Sequence, residues 1–431
     1  MRICIIGTGY VGLCTGVGFA DKGNKVTCVD VVSEKVDKIN NGQAPIYEPG
    51  LGEKLMEALG NGSIRATTDL KEAIAETELC FISVPTPCKD DGSIELKYIR
   101  TVAESVGSVL KDLDRYYVVV VKSTVVPGTT EDVVLPLIEQ ASGKKVGDGF
   151  GLCMNPEFLR EGYALNDFLN PDRIVIGEIE GRAGDVVREA YEGFENVPIM
   201  RTAIKTAEMI KYTANSLLAT KISFSNEIGN ICKRLGINVY DVMKGVGLDS
   251  RISGKFLRAG CGFGGSCFPK DVAAIVARAR VAGIDPGLLQ QVLDTNREQR
   301  GLMAEQLKAR MPSLENRRVA ILGLAFNPNT DDIRESPAIE IVGKLTKEGA
   351  SVAAYDPRAM ENMKKVFPDV EYAGDAKQAL SGADACLIVT DWDEFKELSD
   401  EDFALMKGDV IIEGRKTLKP ERVKKFEGIC W

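Results

Sequence analysis

The protein has 431 residues, of which 27% are charged and 44% hydrophobic, and its formal net charge is −9. This length predicts about three domains. The acidic balance disfavours nucleic acid and anionic membranes as partners, because phosphate groups bind basic surfaces. No histidine occurs, which excludes catalysis by a histidine base and histidine-liganded metal sites. Acid–base chemistry must therefore use Asp, Glu, Lys, Cys or water.

The eleven cysteines indicate a reduced, cytoplasmic protein rather than a disulfide scaffold. Their number is odd and no CxxC pair occurs, so neither a metal cluster nor a thioredoxin-like site is predicted. Buried positions in apolar runs are expected for Cys4, Cys28, Cys80, Cys153 and Cys386. The 18 uncharged residues from Ile3 to Ala20 include five glycines, which is typical of a strand and a turn rather than an export signal.

The N-terminus is predicted to form a strand, a glycine turn, a helix and a second strand, from RICIIGTGYVG to KVTCVD. Gly7, Gly9 and Gly12 form the pattern G-x-G-x-x-G, and Asp30 ends the second strand. The glycines let backbone amides approach a pyrophosphate at the helix N-terminus, and Asp30 would bind the ribose hydroxyls. The pattern predicts NAD as the cofactor, since the Asp30 carboxylate would repel the 2′-phosphate of NADP.

Further apolar strands alternate with helices as far as GLCMNPEF, which predicts a doubly wound parallel sheet. Thr124 ends one of these strands, where such sheets bind ligands. Glu157 and Glu161, in NPEFLREG, lie just past the next strand end. If that segment is helical, the two acids share one face. The alternative is two solvated acids at a helix N-terminus.

The segment from Ala203 to Gly236 lacks proline and is rich in helix formers. We predict one helix of roughly 50 Å that links two lobes and packs against its copy in a dimer. Lys211 and Asn215 lie four residues apart on it. Facing a cleft, they would present a cation and an amide to a developing oxyanion; facing solvent, they would have no catalytic role.

Cys267 lies in GCGFGGSCFPKD, before a helix predicted to start at Pro269 and to run through Ala282. The helix N-terminus and the neighbouring Lys270 would stabilise a thiolate. Asp271 lies within about a turn and would orient water or balance charge. The segment predicts a nucleophilic cysteine, with a buried structural thiol as the alternative.

The C-terminal segment repeats the N-terminal pattern with RVAILGLAF and SVAAYDP. AGDAKQALSGADACLIVT aligns without a gap on TTDLKEAIAETELCFISV, which pairs Asp69 with Asp375 and Cys80 with Cys386. Only Gly323 remains of the glycine turn, so this repeat is predicted to bind something other than a dinucleotide.

The predicted fold is α/β, with two Rossmann-like doubly wound parallel-sheet domains joined by a helical domain that carries the long central helix. Its expected boundaries are residues 1–198 for the NAD-binding domain, 199–305 for the helical dimerisation domain and 312–431 for the second Rossmann-like domain. The ligand of the last domain follows from the resemblance below.

Together these segments resemble the UDP-glucose/GDP-mannose 6-dehydrogenase family over essentially the whole chain. The matching strings are GTGYVGL, PIYEPGL, SVPTP, KSTVVPGT, NPEFLREG, KYTANS, RISGKFLRAGCGFGGSCFPKD and NTDDIRESPA. Relatives acting on UDP-N-acetyl sugars tend to carry GGHC at the cysteine, whereas this chain has GGSC. GDP-mannose enzymes share GGSC, but GKFLRAG is more similar to the UDP-glucose branch.

The resemblance implies two successive NAD-dependent oxidations, alcohol to aldehyde to acid, that make UDP-glucuronate from UDP-glucose for polysaccharide biosynthesis. It implies that Cys267 holds the aldehyde as a thiohemiacetal and then becomes a thioester. Lys211 and Asn215 would stabilise each oxyanion. Candidates for activating the hydrolytic water are Glu157, Thr124 and Asp271.

The resemblance also assigns binding residues. Cofactor contacts are expected at Gly7, Gly9, Tyr10, Val11, Gly12, Asp30, Lys35, Thr86, Thr124, Glu161, Lys270 and Arg334. Substrate contacts, with the C-terminal domain binding the UDP-sugar, are expected at Glu157, Phe158, Leu159, Arg160, Lys211, Asn215, Phe256, Leu257, Arg258, Gly264, Phe326 and Arg415. Arg251 would reach the neighbouring active site of a homodimer or larger homo-oligomer. No metal is implied.

One position departs from the family, which usually has lysine after the phenylalanine of GLAF. This chain has Asn327 there, so a substrate contact at that position loses its positive charge.

Three alternatives remain open from the sequence. The first is the same reaction on another sugar nucleotide, above all GDP-mannose. The second is a one-step NAD-dependent dehydrogenase of the hydroxyacid type, which has no use for Cys267. The third is a non-catalytic nucleotide-sugar sensor with Cys267 as a redox switch. The NADH formed per sugar separates the oxidation classes, with two, one or none expected.

Overall fold

The structure, a computed structural model, describes residues 1–431. The chain divides into two compact units, Met1–Ala214 and Asn215–Trp431. No helix combines the length and the apolar character that a membrane crossing requires. The finer division at 1–198, 199–305 and 312–431 stays a prediction.

The first unit is built on one eight-stranded sheet in the order β3-β2-β1-β4-β5-β6-β7-β8. Its strands are β1 Arg2–Ile6, β2 Lys25–Val29, β3 Ile64–Thr67, β4 Leu79–Ile82, β5 Tyr117–Val121, β6 Phe150–Met154, β7 Ile174–Glu178 and β8 Ile199–Ala203. All neighbours are parallel except β6 and β7, which pair antiparallel. The predicted parallel doubly wound sheet is confirmed. At one edge, β7 and β8 run antiparallel to the other strands.

Helices cover both faces of this sheet. They are α1 Tyr10–Asp21, α2 Ser33–Asn40, α3 Leu51–Gly60, α4 Leu70–Glu76, α5 Lys97–Leu110, α6 Leu135–Ser142, α7 Ala164–Leu169 and α8 Gly181–Ala190, with one π-helical turn at Thr130–Val134. Successive strand residues point to opposite faces. Ile3 and Ile5 therefore enter one buried cluster, while Cys4 and Ile6 enter another. The near-continuous apolar strands follow from burial on both faces.

The long central helix, α9, runs from Ile204 to Leu235 over 32 residues. It confirms the helix predicted from the proline-free segment, with each end within one residue of expectation. The boundary between the two units falls within this helix, so Lys211 belongs to the first unit and Asn215 to the second.

The second unit contains a six-stranded parallel sheet in the order β11-β10-β9-β12-β13-β14. Its strands are β9 Arg318–Leu322, β10 Ser351–Tyr355, β11 Glu371–Tyr372, β12 Ala385–Ile388, β13 Val410–Glu413 and β14 Glu427–Gly428. Its helices are α10 Val239–Gly247, α11 Phe268–Val281, α12 Gly287–Arg310, α13 Pro337–Lys347, α14 Met360–Lys364, α15 Ala376–Leu380 and α16 Asp400–Phe403, with a 3-10 helix at Asp393–Glu397.

The internal repeat is visible in the fold as well as in the sequence. The first five strands of the second sheet are arranged as β3-β2-β1-β4-β5 are in the first. The aligned residues Asp69 and Asp375 are the N-caps of α4 and α15, and each carboxylate accepts the amide three residues later. Cys80 and Cys386 occupy matching buried positions in β4 and β12. Two Rossmann-like sheets with a long helix between them in the chain are therefore confirmed.

Candidate active site

The glycine turn after β1 leaves an open helix N-terminus. Gly7 has a φ of +98°, which favours glycine, and a Cβ at Gly12 would overlap the Gly7 carbonyl oxygen. A Cβ at Gly9 would meet no atom within 4 Å. Gly9 is the N-cap of α1, and no side chain caps the first amides. The first turn of α1, which holds Tyr10 and Val11, therefore presents the positive end of the helix dipole to an anion such as a pyrophosphate.

Asp30, directly after β2, is held as an anion beside this turn. Its Oδ2 accepts hydrogen bonds from the Thr8 amide at 3.0 Å and the Thr8 hydroxyl at 2.6 Å, and its Oδ1 accepts from Val32 N at 3.0 Å. Burial raises the pKa of Asp30, but these hydrogen bonds and the Lys35 ammonium at 3.7 Å together lower it below its usual value. The carboxylate is thus a charged acceptor next to the helix N-terminus, as the ribose of NAD requires.

The equivalent acid of the second sheet, Asp356, has a different environment. It is fully buried and accepts four backbone amides and the indole N–H of Trp392. The amides belong to Leu324, Ala325, Arg358 and Ala359. With its oxygens already bonded to the protein, Asp356 has no capacity left for a ribose.

Glu157 and Lys211 form a buried ion pair in the first unit. Glu157 Oε1 lies 2.7 Å from Lys211 Nζ, and the two side chains are 5% and 3% exposed. The Thr124 hydroxyl donates to the same oxygen at 3.4 Å, and Leu159 N donates to Oε2 at 2.6 Å. Burial alone would raise the pKa of Glu157, but the Lys211 ammonium and the Leu159 amide outweigh it and hold the pKa below its usual value. This cluster joins three predicted catalytic residues.

The segment that holds Glu157 and Glu161 is not helical, so the condition under which the two acids would share a helix face is not met. No helix forms between β6 and α7. Glu157 uses its carboxylate to accept the Leu159 amide, a local bond that competes with helix formation. Glu157 is nonetheless buried rather than solvated.

Cys267 is the N-cap of α11, as the sequence predicts, and is half-buried. The helix begins at Phe268, one residue before the predicted Pro269, and ends at Val281. The Ser266 hydroxyl lies 3.6 Å from Cys267 Sγ. A thiolate at this point faces the positive end of the helix dipole.

Asp271 joins two other predicted residues in the first turn of α11. Its Oδ2 accepts Asn215 Nδ2 at 2.6 Å, and its Oδ1 accepts Lys270 Nζ at 2.6 Å. Asp271 is 1% exposed. The predicted catalytic residues thus form two clusters, Thr124–Glu157–Lys211 in the first unit and Asn215–Cys267–Lys270–Asp271 in the second.

The remaining predicted contacts of the first unit lie near the Glu157 cluster. The Thr86 hydroxyl donates to Thr124 O at 2.9 Å. The Phe158 ring lies under the Arg173 guanidinium and 5.6 Å from Lys211 Nζ. Arg160 is bound to Asp167 through a bidentate ion pair, so its charge is already partly neutralised.

The remaining predicted contacts of the second unit surround the glycines before Cys267. Gly264 packs on the Glu335 backbone and beside Phe326. Phe256 packs edge-on against Phe268 and under Arg258. The other three positions have diverse environments: Leu257 is buried, Arg415 donates to Val389 O, and Arg334 pairs with Asp332 at 2.6 Å.

Two buried residues that the sequence analysis assigned no role support the Glu157 loop. The Glu48 carboxylate, from PIYEPGL, accepts the amides of Gly162 at 2.9 Å and Ala164 at 2.6 Å. Lys122, directly after β5, donates to Asn155 Oδ1 at 2.9 Å. A lone charged residue inside or next to an apolar segment is the sequence signal that could have identified both.

Family models match nearly the whole chain. They are the NAD-binding domain of the UDP-glucose/GDP-mannose dehydrogenase family at residues 1–195, its central domain at 205–298 and its UDP-binding domain at 320–420. The chain belongs to this family. It is an NAD-dependent oxidoreductase, and the open glycine turn and anionic Asp30 fit that cofactor.

Individual relatives are similar over their full length. A UDP-glucose 6-dehydrogenase of Haloferax volcanii is 49% identical over 100% of both chains. A GDP-mannose 6-dehydrogenase of Pseudomonas syringae is 40% identical, again over 100% of both chains. The solved structure of a UDP-glucose dehydrogenase from Pyrobaculum islandicum is 40% identical, with a TM-score of 0.94 and coverage of 100% of this chain and 98% of that one.

Proposed function

We propose that the protein oxidises UDP-glucose to UDP-glucuronate with two NAD⁺, through a covalent intermediate on Cys267. The observation that carries the proposal is Cys267 at the N-cap of α11, next to the buried Asn215–Asp271–Lys270 cluster. A simple alcohol dehydrogenase needs no thiol, whereas an aldehyde must add a nucleophile before it can lose a second hydride, and a thiolate adds while keeping the aldehyde in the site. Names of relatives similar over their full length support UDP-glucose as the substrate.

The Glu157 cluster would act on the C6 hydroxyl. Glu157 is held as an anion and Lys211 as its cation partner. As the hydroxyl passes its proton to the Glu157 carboxylate and C6 loses a hydride, Lys211 would stabilise the developing alkoxide. When bound, NAD⁺ accepts this hydride at its nicotinamide ring, and a second NAD⁺ accepts the next. The glycine turn and Asp30 would hold the cofactor.

Cys267 would then act on the aldehyde. Its thiolate adds to the carbonyl carbon, and the oxygen becomes the alkoxide of a thiohemiacetal. Loss of a hydride from the same carbon leaves a thioester. Asn215 would donate to each oxyanion, at a contribution of about 3 kcal/mol by comparison with other oxyanion donors. Water then cleaves the C–S bond, which releases the carboxylate and restores the thiolate. Glu157, with the Thr124 hydroxyl bound to it, would accept a proton from this water.

The experiment that tests this proposal counts NADH per sugar with UDP-glucose, UDP-galactose, UDP-N-acetylglucosamine and GDP-mannose. We expect two NADH per UDP-glucose and the highest kcat/KM for that substrate. Cys267→Ala should lower the rate of acid formation by about three orders of magnitude or more while substrate affinity changes little. Cys88→Ala is the matched control, because Cys88 is exposed and in no disulfide.

Each outcome has a clear meaning. Two NADH per sugar at near wild-type rate from Cys267→Ala would refute the covalent mechanism. One NADH in the wild type would indicate a simple dehydrogenase, and none would indicate a sensor. A preference for GDP-mannose would show that the protein acts as a GDP-mannose 6-dehydrogenase instead.

We also propose that the protein is a homodimer that packs through α9. Leu217, Phe224 and Ile231 lie seven residues apart on this helix and are 59%, 52% and 49% exposed. A spacing of seven places them on one helix face, as in helices that pair along a seam. A second copy would bury this stripe. Arg251, whose side chain is 86% exposed, would then contribute to the partner's site.

We propose a cytoplasmic location on the basis of the thiols. All eleven cysteines are free, and Cys4, Cys28, Cys80, Cys153 and Cys386 are buried as the sequence predicts. Free thiols in this number are typical of a reducing compartment.

A further inference from the structure

Lys122 is a buried lysine that the proposed mechanism does not use. It is 2% exposed and directly follows β5, the strand that leads to Thr124. Its Nζ donates to Asn155 Oδ1 at 2.9 Å and to the Tyr191 hydroxyl at 3.3 Å. Neither partner is a carboxylate. Its ammonium is therefore buried without a directly bonded counter-charge.

Such a lysine is costly to the fold. Burying an ammonium without an ionic partner is unfavourable, because the lost hydration is not replaced by an opposite charge. The surroundings are otherwise apolar, with the Phe81 ring 5.7 Å and the Phe168 ring 5.9 Å from Nζ. A methionine would fill the same space at lower cost. This cost calls for a function that the charge serves.

The hydrogen bonds of Lys122 lead directly to the segment that carries Glu157. Asn155 begins this segment, and Tyr191 donates to the same Oδ1 at 2.6 Å, so that two donors fix one amide oxygen. The other end of the amide donates to Val175 O at 2.8 Å. Asn155 is thus fully held, and Glu157 follows two residues later.

The charge of Lys122 also acts on Glu157. Burial lowers the pKa of Lys122 to about 8, with Glu157 raising it and Lys211 lowering it. In the reverse direction, the Lys122 ammonium contributes to the low pKa of Glu157, after Lys211 and the Leu159 amide. Tyr191, the remaining titratable neighbour, stays neutral because burial raises its pKa. Two buried cations therefore surround one buried carboxylate.

We propose that Lys122 is a positioning residue that anchors the start of the Glu157 segment and, through its charge, keeps Glu157 anionic at lower pH. This role rests on the proposed function, since it presumes that Glu157 acts as an anion in the oxidation. It adds a second cation to the Lys211–Glu157 pair. Removing that cation raises the pKa of Glu157. As the pH falls, Glu157 is then protonated, and activity is lost, at a higher pH than in the wild type.

The test is the pH dependence of kcat from pH 3.5 to 9 for Lys122→Met, Lys122→Arg and Tyr191→Phe, with thermal unfolding at each pH to confirm folding. The acid limb is the pH range in which kcat falls as the pH decreases. We expect the acid limb of Lys122→Met to lie about one pH unit higher than that of the wild type, which is about a tenfold loss of kcat at pH values below it. Lys122→Arg keeps the positive charge, so its acid limb should lie at the same pH as in the wild type. Tyr191→Phe removes two hydrogen bonds, one to Asn155 and one from Lys122, but no charge, and it should leave the acid limb at the wild-type pH.

Glu157→Gln assigns the limb, because its residual activity should show no acid limb. A limb that persists in Glu157→Gln, or one that stays at the wild-type pH in Lys122→Met, would overturn the proposal. If Lys122→Met does not fold, Lys122→Gln replaces it with the same expectation.

The outcome is independent of the sugar. If UDP-glucose yields no NADH, the proposed substrate fails, and the same pH series is run with whichever sugar nucleotide of the panel is oxidised. A limb shift there supports the role of Lys122 even though the substrate was wrong.

Discussion

At the scale of single residues, the same acid after the second strand of each sheet has two different functions. Asp30 accepts hydrogen bonds from Thr8 in the glycine turn and from Val32, and it stays anionic beside the N-terminus of α1. Asp356 is fully buried among five donors and serves the fold alone. The difference explains why one repeat binds a dinucleotide and why the other cannot do so through its acid.

Replacing Asp30 with alanine should raise the KM for NAD⁺ by about tenfold or more. It should also bring the kcat/KM values for NAD⁺ and NADP⁺ closer together. In the wild type the carboxylate would bind the ribose hydroxyls of NAD⁺ and repel the 2′-phosphate of NADP⁺. The variant would lose roughly one to two charged hydrogen bonds to NAD⁺. The measurement is kcat/KM for both cofactors with saturating sugar.

Asp356→Asn is the matched control for Asp30→Ala. It should lower the thermal stability of the protein, because an amide nitrogen cannot accept the N–H groups that Asp356 binds, yet leave the cofactor preference unchanged. A wild-type protein that prefers NADP⁺ would contradict the role of Asp30.

At the scale of elements, α9 combines two tasks along one helix. Its N-terminal part carries the buried Glu208 and Lys211, and its later turns present the exposed Leu217, Phe224 and Ile231. Glu208 accepts the amides of Gly128 at 2.6 Å and Thr130 at 2.9 Å, which ties the helix to the loop after Thr124. A helix of 32 residues is long enough to do both.

Phe224→Glu should weaken self-association by about 30-fold or more, the effect of removing one interface hot spot of about 2 kcal/mol. A charge on the apolar stripe would be buried against the partner's stripe, which is unfavourable. Sedimentation over a range of concentrations measures the change. Tyr98→Glu on α5 is the control, since Tyr98 is similarly exposed but lies on another helix.

Subunit mixing tests the same interface from the active site. Arg251→Ala and Cys267→Ala subunits, each inactive alone, should recover part of the activity when mixed if Arg251 reaches across. Proven heterodimers without activity would argue against a shared site, and a wild-type monomer at micromolar concentration would refute the dimer.

At the scale of the whole molecule, buried carboxylates make stability depend on pH. Burial raises the pKa of Glu413 to about 7 despite hydrogen bonds from Leu418 and Thr417, and it raises that of Glu208 to about 7 as well. An acid whose pKa is higher in the folded state binds its proton more tightly there. Its stabilising contribution is complete below about pH 4.5 and is lost as the pH rises through about 7.

Glu413→Gln should therefore raise the melting temperature at pH 8.5 and change it little at pH 4.5. The neutral amide keeps an oxygen for the Thr417 and Leu418 amides, at 2.6 and 2.8 Å, and removes the buried charge. The gain at pH 8.5 should be about 1–3 kcal/mol, from the size of such a pKa shift. Equal effects at both pH values would show that charge burial is not the cause.

Sequence alone was sufficient where the signal is local. Gly7 and Gly12 specify the turn that holds Thr8, the partner of Asp30, and the start of α1, because a positive φ at Gly7 and a close carbonyl contact at Gly12 require glycine. Pro269, in the first turn of α11, indicates the helix start that places Cys267 at the N-terminus. The repeat can be recognised in the sequence because Asp69 and Asp375, which cap equivalent helices, align.

The tertiary structure decided what depends on contacts between distant segments. Glu157 and Lys211 are 54 positions apart, yet they form one buried pair, and the Lys211 ammonium, against the effect of burial, holds the pKa of Glu157 below its usual value. The position of Lys122 after an apolar strand marks it in the sequence, but only the folded chain shows that it binds Asn155 and Tyr191. Local sequence determines backbone turns, caps and helix starts, whereas charge states depend on burial and on neighbours that only the folded chain brings together.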